Sequence, residues 1–309
     1  MLILITGSSG QIGTNVGLAL EGRGDRVLGI DRRRNTWTNR IETIELDLAT
    51  SGPEALLTGR AFDVVLHFAA YAKVFELVEN PRRAMENIAM LFNVLEFCRR
   101  RRLPIVFSSS REVYGDIHRH VTDEAAADFV VAESPYSASK IAGEALIYSY
   151  AQCYDLPFLV FRFSNVYGRY DNDLERMERV IPLFADRIAR DEPIVVFGKE
   201  KVLDFTYVDD CVAGVLAGVD ALATGKLTGQ TINLAYGQGN TLVDVVNVLA
   251  LALRKTPTVT YEPSRAGEVT RYVADIRKAR ELLGYSPQVP LTSGLRKTID
   301  WYRSVGSIT

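Results

Sequence analysis

The first half of the chain alternates short apolar runs with longer amphipathic stretches. The segments Leu2–Thr6, Arg26–Asp31, Ile41–Asp47, Asp63–Ala69, Pro104–Ser108 and Phe158–Phe163 are nearly continuous in apolar character. Runs of this kind suit strands buried on both faces. Between them, Ile12–Arg23, Pro81–Arg102 and Tyr136–Tyr154 read as helices. Ser134 and Pro135 before the last of these suit a cap and a first helical position. Strands separated by helices predict an α/β fold, a doubly wound parallel sheet with helices on both faces.

Beyond about residue 164 the pattern loosens. Asn165–Asp173 reads as loop, Val180–Arg190 as helix, and Ile194–Phe197 and Phe205–Val208 as short strands. Val208–Ala223 is helical, Thr231–Ala235 a strand, and Thr241–Leu253 a helix capped by Thr241. Arg277–Leu283 and Leu291–Tyr302 close the chain as helices. No Pro/Gly/Ser linker divides the halves. The expectation is a smaller mixed α/β C-terminal lobe packed on the sheet domain. Residues 1–164 plus about 204–234 form the sheet domain, and about 165–203 plus 235–309 form the lobe.

Composition narrows the partners. The chain has 309 residues, 47% of them hydrophobic, and a formal net charge of −2. That gives no bulk attraction to nucleic acid or to an anionic membrane. No apolar run reaches membrane-spanning length, and the N-terminus reads as a strand rather than a signal peptide. Arg99–Arg102 complements the dipole of the helix it ends. Cys98, Cys153 and Cys211 are odd in number and far apart, so neither a disulfide framework nor a metal cluster is expected. Cys98 and Cys153 fall in apolar helical patterns and read as buried thiols, consistent with a reducing, cytoplasmic setting. His118 and His120 sit in a polar loop without a third ligand, so no metal is expected there.

Gly7-Ser-Ser-Gly10-Gln-Ile-Gly13 follows the first strand and opens the first helix. Glycines there let backbone approach a pyrophosphate, and the helix N-terminus adds amide donors. The next strand ends in Asp31, 18 residues after Gly13, where an acid meets adenosine ribose hydroxyls. Together these predict a Rossmann-like dinucleotide site. Asp31 argues for NAD, since a carboxylate repels a 2′-phosphate; Arg32, Arg33 and Arg34 leave NADP open.

Tyr136 and Lys140 lie four residues apart, on one face of a helix. A cation beside a phenol favours the phenolate, and a tyrosine so tuned can shuttle a hydroxyl proton. Ser108-Ser109-Ser110 stands at the end of the fifth strand, where open α/β sheets place ligands. A hydroxyl at Ser110 can hold the oxygen on which Tyr136 acts.

These residues bring a resemblance into view. The chain resembles the extended short-chain dehydrogenases/reductases, specifically the nucleotide-sugar epimerase/dehydratase family typified by UDP-glucose 4-epimerase. The likeness runs nearly end to end. It rests on the glycine loop, Asp31, Asp47-Leu48, His67-Phe68-Ala69-Ala70, Asn87, Ser108-Ser-Ser110-x-x-Val-Tyr-Gly115 and Tyr136-x-x-x-Lys140. It continues through Arg162-Phe-Ser-Asn165-Val-Tyr-Gly168, Asp204-Phe-Thr-Tyr-Val-Asp-Asp210 and Arg265-Ala-Gly-Glu268.

The resemblance implies NAD held by Gly7, Gly10, Gln11, Ile12, Gly13, Asp31, Arg32, Asp47, Leu48, Phe68, Ala69, Ala70, Asn87, Ser108, Tyr136 and Lys140. Tyr136 is implied as base, Lys140 as its tuner, Ser110 as the group orienting the sugar, and Asn165 and Arg265 as contacts to the nucleotide diphosphate. The implied activity is 4-epimerisation of a nucleotide sugar, with a UDP-hexose or UDP-hexuronate favoured. A homodimer is implied, built by pairing Pro81–Arg102 and Tyr136–Tyr154 into a four-helix bundle.

Two departures from the family pattern stand out. Arg111-Glu112 replaces small or threonine side chains, and Glu112 matches an acid/base position of dehydratases and decarboxylases. Glu112 is thus a catalytic candidate, or a salt-bridge partner of Arg111. A decarboxylase or dehydratase is the alternative activity, followed by an NADP-dependent ketosugar reductase and a non-catalytic dinucleotide sensor. Leu203 stands where the family often has arginine, so that phosphate contact is expected to be lost or to be supplied elsewhere, by Lys199 or Lys201. The stretch from His67 to Pro81 is similar to galactose epimerases and favours epimerase. The choice of sugar is expected to rest on Tyr71–Leu77, Gly168–Arg179 and Val195–Lys201.

Overall fold

The computed structural model describes residues 1–114, 132–175, 179–265 and 267–308. His118, His120 and Gly115 lie outside the described residues. The elements run β1 (Leu2–Thr6), α1 (Gln11–Gly22), β2 (Arg26–Asp31), β3 (Glu42–Glu45), β4 (Val64–His67), α2 (Val74–Glu79), α3 (Arg82–Arg101) and β5 (Ile105–Ser110). They continue with α4 (Pro135–Tyr154), β6 (Phe158–Phe163), β7 (Asn165–Tyr167), α5 (Val180–Ala189), β8 (Ile194–Phe197), β9 (Val202–Tyr207) and α6 (Val208–Ala223). The last are β10 (Gln230–Leu234), β11 (Gly239–Thr241), α7 (Leu242–Leu253), β12 (Val259–Glu262), α8 (Arg277–Leu283) and α9 (Leu291–Ser304).

One parallel sheet has the order β10-β6-β5-β4-β1-β2-β3. Its strands alternate between two cores, which is why they read as continuous apolar runs. Ile3 and Ile5 of β1 join Val16 and Leu20 of α1 and Val215 and Val219 of α6. Leu4, between them, joins Leu91, Val94 and Leu95 of α3 and Ile147 of α4 on the other face. The chain leaves β1 in one direction toward β2 and β3, and the later strands add in the other direction. The crevice at the C-terminal ends of β1 and β4 is therefore the topological switch point, where such sheets bind ligands.

The helix ends follow local chemistry. Ser134 caps α4 in a reciprocal box with Ser137, with Pro135 in the first turn. Thr241 and Asp244 make the same box at α7.

The smaller lobe contains a mixed sheet β11-β9-β7 and a parallel pair β12-β8. Several expectations are corrected here. Asn165–Tyr167 is a strand rather than loop, because it pairs with β9 from Phe205 to Tyr207. β9 itself starts earlier, at Val202. The strands β11 and β12 and the short helix α2 carry too little apolar periodicity to stand out, and tertiary pairing forms them. β9 belongs to the small sheet and β10 to the large one. Cys98 and Cys211 are buried, but Cys153 is exposed on the last turn of α4. Among the described residues no helix is long and apolar enough to cross a membrane.

Candidate active site

A cleft of about 570 Å³ opens at the switch point and extends into the smaller lobe. Its sheet-side wall starts with the glycine loop. The Gly7 amide donates to the Ile30 carbonyl at 2.8 Å, which ties the loop to β2. Gly7 has a φ of +74°, and a Cβ there would lie 2.6 Å from the Ala69 nitrogen. At Gly13 a Cβ would drive into the Gly7 carbonyl and come within 2.8 Å of the Ser8 Cα. These two glycines let α1 and the β4 turn close on the loop, while Gly10, Gln11 and Ile12 line the cleft with them.

Asp31 lines the cleft at the end of β2. Its carboxylate accepts the Ser9 and Arg33 amides, both at 3.1 Å, so its position is fixed by backbone. The neighbouring arginines divide. Arg32 lies over the Tyr71 ring at 4.4 Å and donates to its hydroxyl. Arg34 is 86% exposed beside Glu45. Asp47, Leu48, Phe68, Ala69, Ala70 and Ser108 complete this wall. An elongated cleft with a glycine-lined helix start, a fixed carboxylate and an apolar floor fits a dinucleotide.

Asn87 is buried next to this wall. Its side chain accepts the Tyr71 amide at 2.8 Å and donates to the Tyr71 carbonyl at 3.0 Å and to Ser139. It braces the loop that carries Tyr71.

The inner end of the cleft brings Ser110, Glu112, Tyr136 and Lys140 together. Lys140 Nζ donates to the Ser108 carbonyl at 2.7 Å and sits 5.8 Å from the centre of the Tyr136 ring. Burial lowers the Lys140 pKa to about 7, with Glu144 opposing. Burial raises Tyr136 to about 12, with the hydrogen bond to Ser110 opposing. Burial is thus the largest influence on the phenol in the protein by itself. Nearby His67 is held neutral, its pKa pushed down to about 3 by burial and then by Lys140. Glu112 is 4% exposed, and Arg111 Nη2 meets its Oε1 at 2.9 Å, so the Arg111 salt bridge exists. Burial still raises the Glu112 pKa.

Beneath this group lies a polar network that the sequence reading passed over. Ser109 donates to Glu144, and Arg162 grips the same carboxylate at 3.0 and 2.7 Å. Arg162 also lies 4.7 Å over the Tyr114 ring, and Tyr114 donates to Asn233 at 2.9 Å. The missed signal is spacing: Glu144 is one helical turn beyond Lys140, on the same face.

The smaller lobe supplies the opposite wall. Asn165 lines it and donates to the Asp204 carbonyl at 2.9 Å. Asp204 is buried and accepts the Tyr236, Gly237 and Ala274 amides, joining three segments of the lobe. Leu203 and Lys201 both line the cleft. Lys201 is paired with Glu268 at 2.5 Å, so its charge is partly neutralised. Lys199 instead lies over the Tyr261 ring. Arg265 stands over the Phe197 ring at 4.0 Å, at the rim. Arg179, also missed, pairs with buried Asp171 at 3.2 Å and donates to Gln11, linking the two walls. Among the described residues no cluster of metal-ligating side chains occurs.

The sequence matches the model of the NAD dependent epimerase/dehydratase family over residues 3–235. It is 33% identical to UDP-glucuronate 4-epimerase 1 of Arabidopsis thaliana, over 98% of this chain and 76% of that one. The fold is similar to that of UDP-glucose 4-epimerase from Thermotoga maritima, crystallised with UDP-glucose: TM-score 0.90, 29% identity, 99% of each chain. It is also similar to UDP-glucuronic acid 4-epimerase from Bacillus cereus, in complex with UDP-glucuronic acid and NAD: TM-score 0.88, 28% identity, 99% of this chain and 100% of that one. The chain belongs to the NAD-dependent epimerase/dehydratase family.

Proposed function

We propose that this member of the NAD-dependent epimerase/dehydratase family is an NAD-dependent UDP-sugar 4-epimerase. One observation carries the reading: Ser110, Tyr136 and Lys140 converge at the inner end of the same cleft that the glycine loop and Asp31 line. The relatives with UDP-sugar 4-epimerase names support the nucleotide and the reaction type.

Gly7, Gly10, Gln11, Ile12 and Gly13 hold the pyrophosphate of NAD, and Asp31 and Arg32 hold the adenosine ribose. Asp47 and Leu48 border the adenine, and Phe68, Ala69, Ala70 and Ser108 line the path to the nicotinamide. Lys140 meets the nicotinamide ribose. NAD held by these residues would supply a reversible hydride acceptor for C4 of the sugar, so that the hydride can come back to the opposite face of the ketone. Ser110 orients the 4-hydroxyl. Tyr136 takes the hydroxyl proton as the ketone forms and returns it as the hydroxyl is rebuilt. Charge, atoms and electrons balance over the cycle, with no net oxidation. Asn165 and Arg265 hold the diphosphate. The large-sheet domain thus carries the cofactor and the smaller lobe carries the nucleotide sugar.

The working form is a homodimer in the cytoplasm. Met85 and Phe92 of α3 are 64% and 48% exposed, and Tyr148 and Tyr154 of α4 are exposed as well. Leu91, Leu95 and Ile147 are used within the core, which leaves Met85 and Phe92, with half-buried Ile88, among the apolar side chains for a four-helix bundle between copies.

A second reading has one supporting observation, the buried carboxyl of Glu112 near Tyr136. It makes the protein a decarboxylase or dehydratase. Proton NMR of UDP-, dTDP- and GDP-sugars incubated with the enzyme separates the two. A 4-epimer of a UDP-sugar is expected. Carbon dioxide or water released from the sugar supports the second reading, and no 4-epimer from any sugar overturns the first.

A further inference from the structure

We propose that Arg111 and Glu112 together read a sugar hydroxyl, and that the sugar is an uncharged hexose rather than a hexuronate. The inference rests on the 4-epimerase reading and concerns which substrate its site takes.

Arg111 Nη2 meets Glu112 Oε1 at 2.9 Å. The other atom of each group, Arg111 Nη1 and Glu112 Oε2, is buried with no hydrogen-bond partner among the described residues. Both residues line the cleft, and the Glu112 amide donates to Ser110 Oγ at 3.2 Å. The pair therefore stands next to the group that orients the reacting oxygen. A buried donor and a buried acceptor on one ion pair, both open, call for a partner that both accepts and donates. A hydroxyl does both. A carboxylate only accepts: it serves Nη1 and sets a second negative charge against Oε2.

The rest of the inner cleft offers such a charge little relief. Lys201 is paired with Glu268, Arg179 with Asp171, and Lys140 is directed at the Ser108 carbonyl. Arg265 lies at the exposed rim, on the Phe197 ring, where it serves the diphosphate. Substituents flanking the reacting C4 of a hexose present hydroxyls on both sides. A hexuronate replaces one side with a carboxylate.

The test uses the full chain with its bound cofactor. It compares kcat/KM for UDP-glucose and UDP-galactose with that for UDP-glucuronate and UDP-galacturonate, in the wild type and in Glu112→Gln. Calorimetry compares binding of UDP-glucose and UDP-glucuronate to Tyr136→Phe, with and without Glu112→Gln. The expected result is a hexose preference of at least about tenfold in wild-type kcat/KM and in binding to Tyr136→Phe, narrowed by Glu112→Gln. A preference for the hexuronate, or one that Glu112→Gln leaves unchanged, overturns the inference. So does wild-type release of water that Glu112→Gln abolishes, which makes Glu112 a proton-transfer group. If no sugar is epimerised, the 4-epimerase reading fails, and the binding comparison still decides this one.

Discussion

Lys140 Nζ donates to the main-chain oxygen of Ser108 at 2.7 Å, two residues before Ser110. One hydrogen bond thus fixes the helix that carries Tyr136 to the strand that carries its partner hydroxyl. The same helix and strand meet again through Glu144 and Ser109, and through Tyr136 and Ser110. Lys140→Met removes the first of these contacts and the cation. Its kcat is expected to fall about 10²- to 10⁴-fold, the usual range for a proton-transfer group. Steady-state assays with a UDP-sugar check it; a fall of less than about threefold would remove Lys140 from the mechanism.

Lys140 also makes stability depend on pH. Its folded pKa is lowered by burial to about 7, below the unfolded value of 10.5. Below pH 7 it is charged in both states, and the folded state bears the full desolvation penalty. Between pH 7 and 10.5 the unfolded chain binds the extra proton, so this group makes stability rise with pH. Thermal melts at pH 6.5 and 9 should show a larger gain for the wild type than for Lys140→Met. Equal gains contradict the buried, depressed lysine.

Glu144 and Arg162 form a buried ion pair. Glu144→Ala leaves the buried Arg162 charge without its carboxylate, so a loss of about 3–5 kcal/mol is expected. Denaturant unfolding measures it. Glu144→Gln keeps a hydrogen-bond acceptor and is expected to lose less. If both variants match the wild type, the network does not hold the strand and helix together.

Gly13→Ala places a methyl group against the Gly7 carbonyl. The loop must shift where the pyrophosphate binds. The variant is expected to purify with little or no NAD while retaining its far-ultraviolet circular dichroism. Full NAD content in that variant counts against the placement of the pyrophosphate.

Much of this was legible in the sequence because the evidence was local. The sheet strands are buried on both faces, so they stand out as apolar runs. The Ser134–Pro135 start of α4 and the glycine loop are written in consecutive residues. What stayed hidden depends on distant contacts. β7 exists only because Asn165 pairs with Phe205, and Asn87 holds the Tyr71 loop through bonds to its backbone. The pKa values of Tyr136 and Lys140 depend on burial, which a four-residue spacing cannot reveal.

The central claim is that a hydride leaves C4 of the sugar and returns to it. The most direct measurement follows a UDP-hexose labelled with deuterium at C4 through conversion in ordinary water, by NMR. The account predicts a 4-epimer that keeps its deuterium at C4. A 4-epimer with hydrogen at C4 drawn from water would contradict it.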